Sequence, residues 1–302
     1  MSEQSKKTQE NIQKLAIKLA GEAGRILDEQ FRKPLSIEYK DKSKLDPVTN
    51  IDKQIQTHLQ NSIKSHFPEH GFLGEEENSE TAQQESVSEF LWVVDPIDGT
   101  KNFIAGLPIY ACSIAVLYRG CPYMGAIFLP WPNSEGGSIL HAMRGLGAYF
   151  NNEKIVSPKD SQESEFSGLK TLPGSFTNLF NPSQVLKNKI GDFRMTGSIA
   201  YEMGMSALGI TELMVSSAPS IWDVAAGICI VVESGGLVME GVSRKKRFKI
   251  LEGFKWSDFT TFNADNLPFE NLTASNLRKW RNPLIAGSPK IVKFTASNLR
   301  KR

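Results

Sequence analysis

The sequence predicts an α/β protein built in layers around a mixed sheet. Three observations carry this. Residues 8–31 repeat apolar side chains at helical spacing, and residues 109–156 change to short strands punctuated by Gly, Pro and Asn. Beyond residue 168, strand-like and helix-like segments alternate. The polar, Pro- and Gly-punctuated stretch 157–168 reads as a hinge. It suggests an N-terminal lobe of residues 1–156 and a C-terminal lobe of 157–302, forming one catalytic unit.

In chain order, the first helix presents Ile12, Leu15, Ala16, Leu19, Ala20, Ala23, Ile26, Leu27 and Phe31 as one stripe. A second helix should run from Asn50 to His66, with Ile51, Ile55, Leu59 and Ile63 on one face. Thr49 or Asn50 can cap it, and Pro68 follows its end. Residues 91–94 (LWVV) read as a short buried strand. YACSIAVLYRG, YMGAIF, SILHAM and GAYF follow as further strands, and Asn151-Asn152 is a hairpin-turn signal. FRM is strand-like, and 198–209 reads as a helix whose Ala200, Gly204 and Ala207 permit close packing. ELMVS is a strand, 222–233 a helix stopped by Ser234-Gly235-Gly236, and LVME another strand.

Composition narrows the function. The chain has 302 residues, 40% hydrophobic and 23% charged, with a net charge of +2. So small a charge supplies no global field for nucleic acid or an anionic membrane. The polar start MSEQSKKTQEN lacks a signal-peptide core, and IWDVAAGICIVV is too short and too polar to span a bilayer. Cys112, Cys121 and Cys229 lack metal-site or CxxC spacing and read as reduced core thiols of a cytoplasmic protein. The basic run Arg244–Arg247 reads as a solvated turn. The heptapeptide TASNLRK occurs at 273–279 and again at 295–301, too few copies for a solenoid.

The informative stretch is LWVVDPIDGTKNFI, residues 91–104. It sets two carboxylates, Asp95 and Asp98, at the end of an apolar strand. Like charges in a low-dielectric cleft repel until one takes a proton or a cation joins them. Mg²⁺, a hard ion that prefers oxygen ligands and keeps waters and phosphate oxygens, removes that conflict. Pro96 stiffens the turn, and the Ile97 carbonyl can point inward with the aspartates. Gly99 admits a ligand close to the backbone, where the N–H groups of Gly99 and Thr100 can receive phosphate oxygens.

Three more acidic elements stand at element boundaries: Gly74-Glu75-Glu76-Glu77 after a short apolar run, Asp223 at the start of an apolar helix, and Asp46 in DPVTNID. Each alone also suits a charged loop or a helix cap. Together, GEE, DPIDGTKNF and WDVAAG, in this order and at these separations, resemble the signature of the inositol monophosphatase family of Mg²⁺-dependent, lithium-sensitive phosphatases. The resemblance runs from the first helix to about residue 240.

It implies an alternating α-β-α-β-α sandwich of the inositol monophosphatase/fructose-1,6-bisphosphatase type, often a homodimer. It also implies two to three Mg²⁺ ions. Glu75, Asp95 and the Ile97 carbonyl would hold one, Asp95, Asp98 and Asp223 a second, and Glu75 would serve a weaker third through water. Gly99 and Thr100 would bind phosphate, and Asp46 with Thr100 would prepare the attacking water. Glu76 matches a second acidic position with a less direct role. The aspartyl-phosphate alternative, which needs two aspartates two apart, does not suit Asp95 and Asp98, which are three apart.

The resemblance departs where substrate is read. An inositol-contacting glutamate seven residues before the WD aspartate is here Ser216, and the small-residue stretch lining the sugar pocket is Gly197-Ser198-Ile199. The expected substrate is a small polyol or sugar phosphate. Fructose 1,6-bisphosphate, histidinol phosphate and 3′-phosphoadenosine 5′-phosphate are alternatives, and so is a non-catalytic regulatory protein of the same fold.

Overall fold

The computed structural model describes residues 3–76, 88–132, 137–156, 166–245, 251–262 and 269–302. Helix α1 (Glu3–Gln30) starts earlier than its apolar stripe. A short ribbon pairs β1 (Ile37–Tyr39) with β2 (Pro47–Thr49), and α2 (Asn50–His66) follows at once. Thr49 caps α2 reciprocally with Asp52, so Asp46 is not the cap.

Seven strands form the first sheet. They are β3 (Gly71–Gly74), β4 (Phe90–Asp98), β5 (Ala111–Tyr118), β6 (Cys121–Leu129), β7 (Ser138–Met143), β8 (Gly147–Phe150) and β9 (Glu153–Ile155), in that spatial order. β3 and β4 are parallel and the other pairs antiparallel. The six-residue α3 (Thr100–Ala105) lies between β4 and β5. The turn from β8 to β9 is Asn151-Asn152, with Asn151 at φ +54°, a conformation that asparagine tolerates.

The second sheet draws on β10 (Leu169–Thr171), β12 (Phe193–Arg194), β13 (Thr211–Ser216), β14 (Leu237–Lys245), β15 (Leu251–Asp258) and β16 (Leu284–Gly287). Its order is β12-β10-β13-β16-β14-β15. Its helices are α4 (Phe176–Leu179), α5 (Gln184–Ile190), α6 (Ile199–Ala207), α7 (Ile221–Glu233), α8 (Ala274–Arg278) and α9 (Pro289–Asn298). A two-stranded ribbon pairs β11 (Phe180–Pro182) with β17 (Leu299–Lys301).

Three apolar clusters separate five layers. The first joins α1 and α2 to one face of the seven-stranded sheet through residues such as Leu19, Ile55, Trp92 and Ile114. The second lies between the two sheets and contains α6 and α7. The third covers the far face of the six-stranded sheet with α5 and α9. The fold is therefore the α-β-α-β-α sandwich. Because α7 has a sheet on either side, its sequence is apolar almost all round, as a helix buried on every face requires.

Several expectations are corrected. FRM contributes only the two-residue β12, and Met195 is 62% exposed. Arg244 and Lys245, expected in a turn, belong to β14, while the rest of that basic run lies outside the described residues. Most of the proposed hinge, 157–165, lies outside them too. The elements after residue 250 carried no expectation. There the two TASNLRK copies differ: the first is the capped helix α8, while the second ends α9 and becomes β17.

Candidate active site

The strand β4 reaches the site through its alternation. Leu91 and Val93 face α6 and α7, whereas Trp92 and Val94 face α1 and α2. Asp95, in step with Leu91 and Val93, takes the α7 side. Its partner on β5 is Ser113, whose hydroxyl donates to the carbonyl of Trp222 at 3.0 Å. Asp98 pairs with Ala111, which lies in the same inter-sheet cluster. The chain thus advances three residues on β4 against two on β5, a bulge that leaves both aspartates on one face.

Four carboxylates meet there. Asp95 is buried beside Glu75, and its Oδ1 has no protein partner among the described residues. Burial first, then the charges of Glu75, Asp98 and Asp223, hold Asp95 well above the usual carboxylate range. Asp223 is raised in the same way, by burial and then by Asp98 and Glu75. It is the third residue of α7, and its Oδ2 accepts from the Ser220 N–H at 2.8 Å. Its capping duty is therefore real and coexists with membership of the cluster.

Asp98 is pushed up to about 7 by burial, against the backbone N–H of Ala200 and the Ser198 hydroxyl, which both donate to its Oδ2. Gly99 has φ +90°, and a Cβ there would stand 3.0 Å from the Cβ of Ser198 and 3.1 Å from the carbonyl of Ile109. A side chain is disfavoured on both counts. The Ile97 carbonyl accepts from the Thr100 hydroxyl at 2.8 Å.

Lys40 is the residue that sequence reasoning missed. Its ammonium donates to Glu75 Oε1 and to Glu76 Oε1, each at 2.7 Å. Burial disfavours its charge, but the two glutamates outweigh that and raise its pKa above the ordinary lysine value. Glu76 is itself pushed up to about 7, mainly by burial, and its N–H donates to Gln56. Beside Asp223, Trp222 has the guanidinium groups of Arg278 and Arg281 over its ring, at 5.4 and 5.6 Å.

Asp46 stands apart. It is exposed, its carbonyl accepts from Lys40 N–H and its own N–H donates to Asp41. No hydrogen bond joins it to Thr100 among the described residues, so the expected pairing of these side chains is not made.

Next to the carboxylates lies a cavity of about 550 Å³. It brings together Asp98, Gly197, Ser198, Ile199 and Ser216, although they come from β4, α6 with the turn before it, and β13.

Among the described residues no three Asp, Glu, His or Cys side chains already enclose one point at ion-ligand distance. The donor chemistry nevertheless suits a hard divalent cation: all oxygen, mutually repelling, with one buried carboxylate oxygen unpartnered.

A five-layer α/β sandwich with an acidic cluster between strand ends and a helix N-terminus defines the class. The chain belongs to the inositol monophosphatase family, which it matches over residues 8–255. A fructose-1,6-bisphosphatase/inositol-1-monophosphatase of Aquifex aeolicus is 32% identical over 227 residues, covering 72% of this chain and 81% of the relative. The Nus factor SuhB of Escherichia coli K12 is 29% identical over 293 residues, 95% of this chain and 94% of the relative. In fold, the chain is similar to a staphylococcal inositol monophosphatase-1, whose crystal had been soaked in LiCl as an inhibitory complex. The TM-score is 0.70 at 21% identity, covering 97% of both chains.

Proposed function

We propose that this chain is a Mg²⁺-dependent phosphomonoesterase acting on a small organic phosphate, with no covalent intermediate. Glu75, Asp95, the Ile97 carbonyl, Asp98 and Asp223 would hold two to three Mg²⁺ ions. When bound, those ions neutralise the carboxylates, activate water and stabilise the leaving alkoxide. The observation that carries this reading is Asp95, buried among three other carboxylates with one oxygen unpartnered.

The protein's own part is positioning. Ser198 and the Ala200 N–H fix the rotamer of Asp98. The Ser220 N–H does the same for Asp223, and Ser113 ties β5 to the carbonyl of Trp222 beside it. Thr100 holds the Ile97 carbonyl through one lone pair, leaving the second for another donor or a cation. Lys40 balances Glu75 and Glu76 at the edge of the cluster. Gly99 and Thr100 would offer their amides to phosphate. Asp46 with Thr100 would prepare the attacking water, although no hydrogen bond joins the two among the described residues.

We also propose a homodimer, as the resemblance implies, and a cytoplasmic location, as the spacing of the three cysteines suggests. Among the described residues no helix is long and apolar enough to cross a membrane. A second reading, a non-catalytic regulator, draws on the relative named as a Nus factor. The test is phosphate release from a panel of esters with and without Mg²⁺, then with added Li⁺. Mg²⁺-dependent, Li⁺-inhibited release is expected. Its absence on every ester would favour the regulator.

A further inference from the structure

The cavity beside Asp98 has a composition that selects among phosphate esters. Its apolar wall consists of Leu107, Leu172, Pro173, Met195, Ile199 and Val215. Among its described lining residues none is a lysine or an arginine. The cations near the cluster are held elsewhere: Lys40 by Glu75 and Glu76, and Arg278 and Arg281 against Trp222. A second phosphate placed in the cavity would have no positive partner in the described lining and would face the carboxyl group of Glu202, so burying it there is costly.

Several polar groups of the wall are spent on one another. Glu202 Oε1 accepts from the N–H and the hydroxyl of Thr196, at 3.1 and 2.8 Å. The side-chain amide of Asn102 donates to the carbonyls of Ile109 and Thr196, both at 2.7 Å. Ser198 donates to Asp98, and Ser217 bonds Ser175 at 3.3 Å. A polyol needs an acceptor or donor for each buried hydroxyl, and unpaired ones cost affinity. Ser216, buried on β13, offers a hydroxyl there and no charge. Apolar side chains make up the larger part of the free surface, and its volume admits a ring-sized group.

We infer that the substrate is an alkyl phosphate monoester whose leaving alcohol carries an uncharged, largely apolar ring and no second phosphate. This rests on the phosphatase reading above and narrows it. The ring fills the wall between Leu172 and Ile199, the ester oxygen lies toward Asp98, and displacement of ordered water from apolar surface supplies affinity.

The test compares alkyl phosphate monoesters, each kcat/KM being divided by that ester's uncatalysed hydrolysis rate so that leaving-alcohol acidity does not masquerade as fit. With Mg²⁺ present, kcat/KM for 2-phenylethyl phosphate should exceed that for inositol 1-phosphate and for fructose 1,6-bisphosphate by at least about 10-fold. Turnover in which the polyol or the bisphosphate is used equally well or better would overturn this inference and leave the phosphatase reading standing. Failure to release phosphate from any ester would overturn both.

A variant locates the effect. Met195 is 62% exposed, so Met195→Lys should fold normally and adds a cation to the wall. The ratio of bisphosphate to phenylethyl use should rise about five-fold. An unchanged ratio in a variant that melts like the wild type would show that the leaving group sits elsewhere.

Discussion

Asp95 and Asp98 point to the same side of β4 although they are three residues apart. Asp95 pairs with Ser113 and Asp98 with Ala111, so one extra residue is absorbed between them. In a regular strand, side chains three apart face opposite ways, and one of these carboxylates would enter the apolar layer beneath α1 and α2. The bulge is what makes a two-aspartate site possible at the end of a buried strand.

Asp95→Asn and Asp223→Asn should each lower Mg²⁺-dependent turnover by more than about 100-fold while leaving the fold intact. Removing one of several mutually repelling buried carboxylates should leave the metal-free melting temperature unchanged or higher. Steady-state rates and thermal melts check both halves, and a variant with near wild-type rate would take that residue out of the metal centre.

Lys40→Gln removes an ammonium that lies 2.7 Å from both Glu75 and Glu76. That ammonium competes with any cation for Glu75. Half-maximal activity should therefore need about 2- to 5-fold less Mg²⁺, the modest size expected for a partly exposed pair. A titration that shifts the other way would mean that Lys40 assists binding.

Gly99→Ala should destabilise the protein by about 1–3 kcal/mol, because alanine at φ +90° is strained and its Cβ would crowd Ser198. Denaturant melts measure this. A neutral substitution would show that the β4–α3 turn relaxes freely.

His70 supplies a pH dependence. It stacks on Phe67 and Phe90, and its Nδ1 faces the Trp92 indole N–H at 3.1 Å, so the neutral ring accepts that bond. Burial lowers its pKa below the ordinary 6.5, partly opposed by Glu69. As pH falls through that value the unfolded chain takes up a proton that the folded chain refuses, so stability is lost as pH falls. His70→Gln should flatten the fall in stability between about pH 7 and pH 5 relative to wild type. Parallel curves would clear His70.

Ser216→Glu places a carboxylate in the cavity wall on β13. It should raise kcat/KM for inositol 1-phosphate by about 10-fold, since a hydroxyl gains a charged acceptor. Unchanged kinetics would mean that the polyol never reaches this wall.

By itself the sequence determined what depends on neighbours along the chain. The stripes of α1 and α2, the Thr49 cap, the Asn151-Asn152 turn and the acidic residues at element ends are local patterns, because helix and strand periodicity are local geometry. It also carried the candidate carboxylates Glu75, Asp95, Asp98 and Asp223. The tertiary structure decided what depends on register and on distant partners. Lys40 reaches Glu75 from 35 residues away with no local signal, and Asp46 keeps no bond to Thr100.

The heptapeptide TASNLRK makes the division plain. At 273–279 its threonine caps a new helix and its leucine enters the inter-sheet core. At 295–301 a helix already running from Pro289 carries through its first four residues. Its leucine then pairs with Pro182 in a strand. Identical residues take different conformations because the energy of burying that leucine and pairing its backbone comes from surfaces that only the assembled fold supplies.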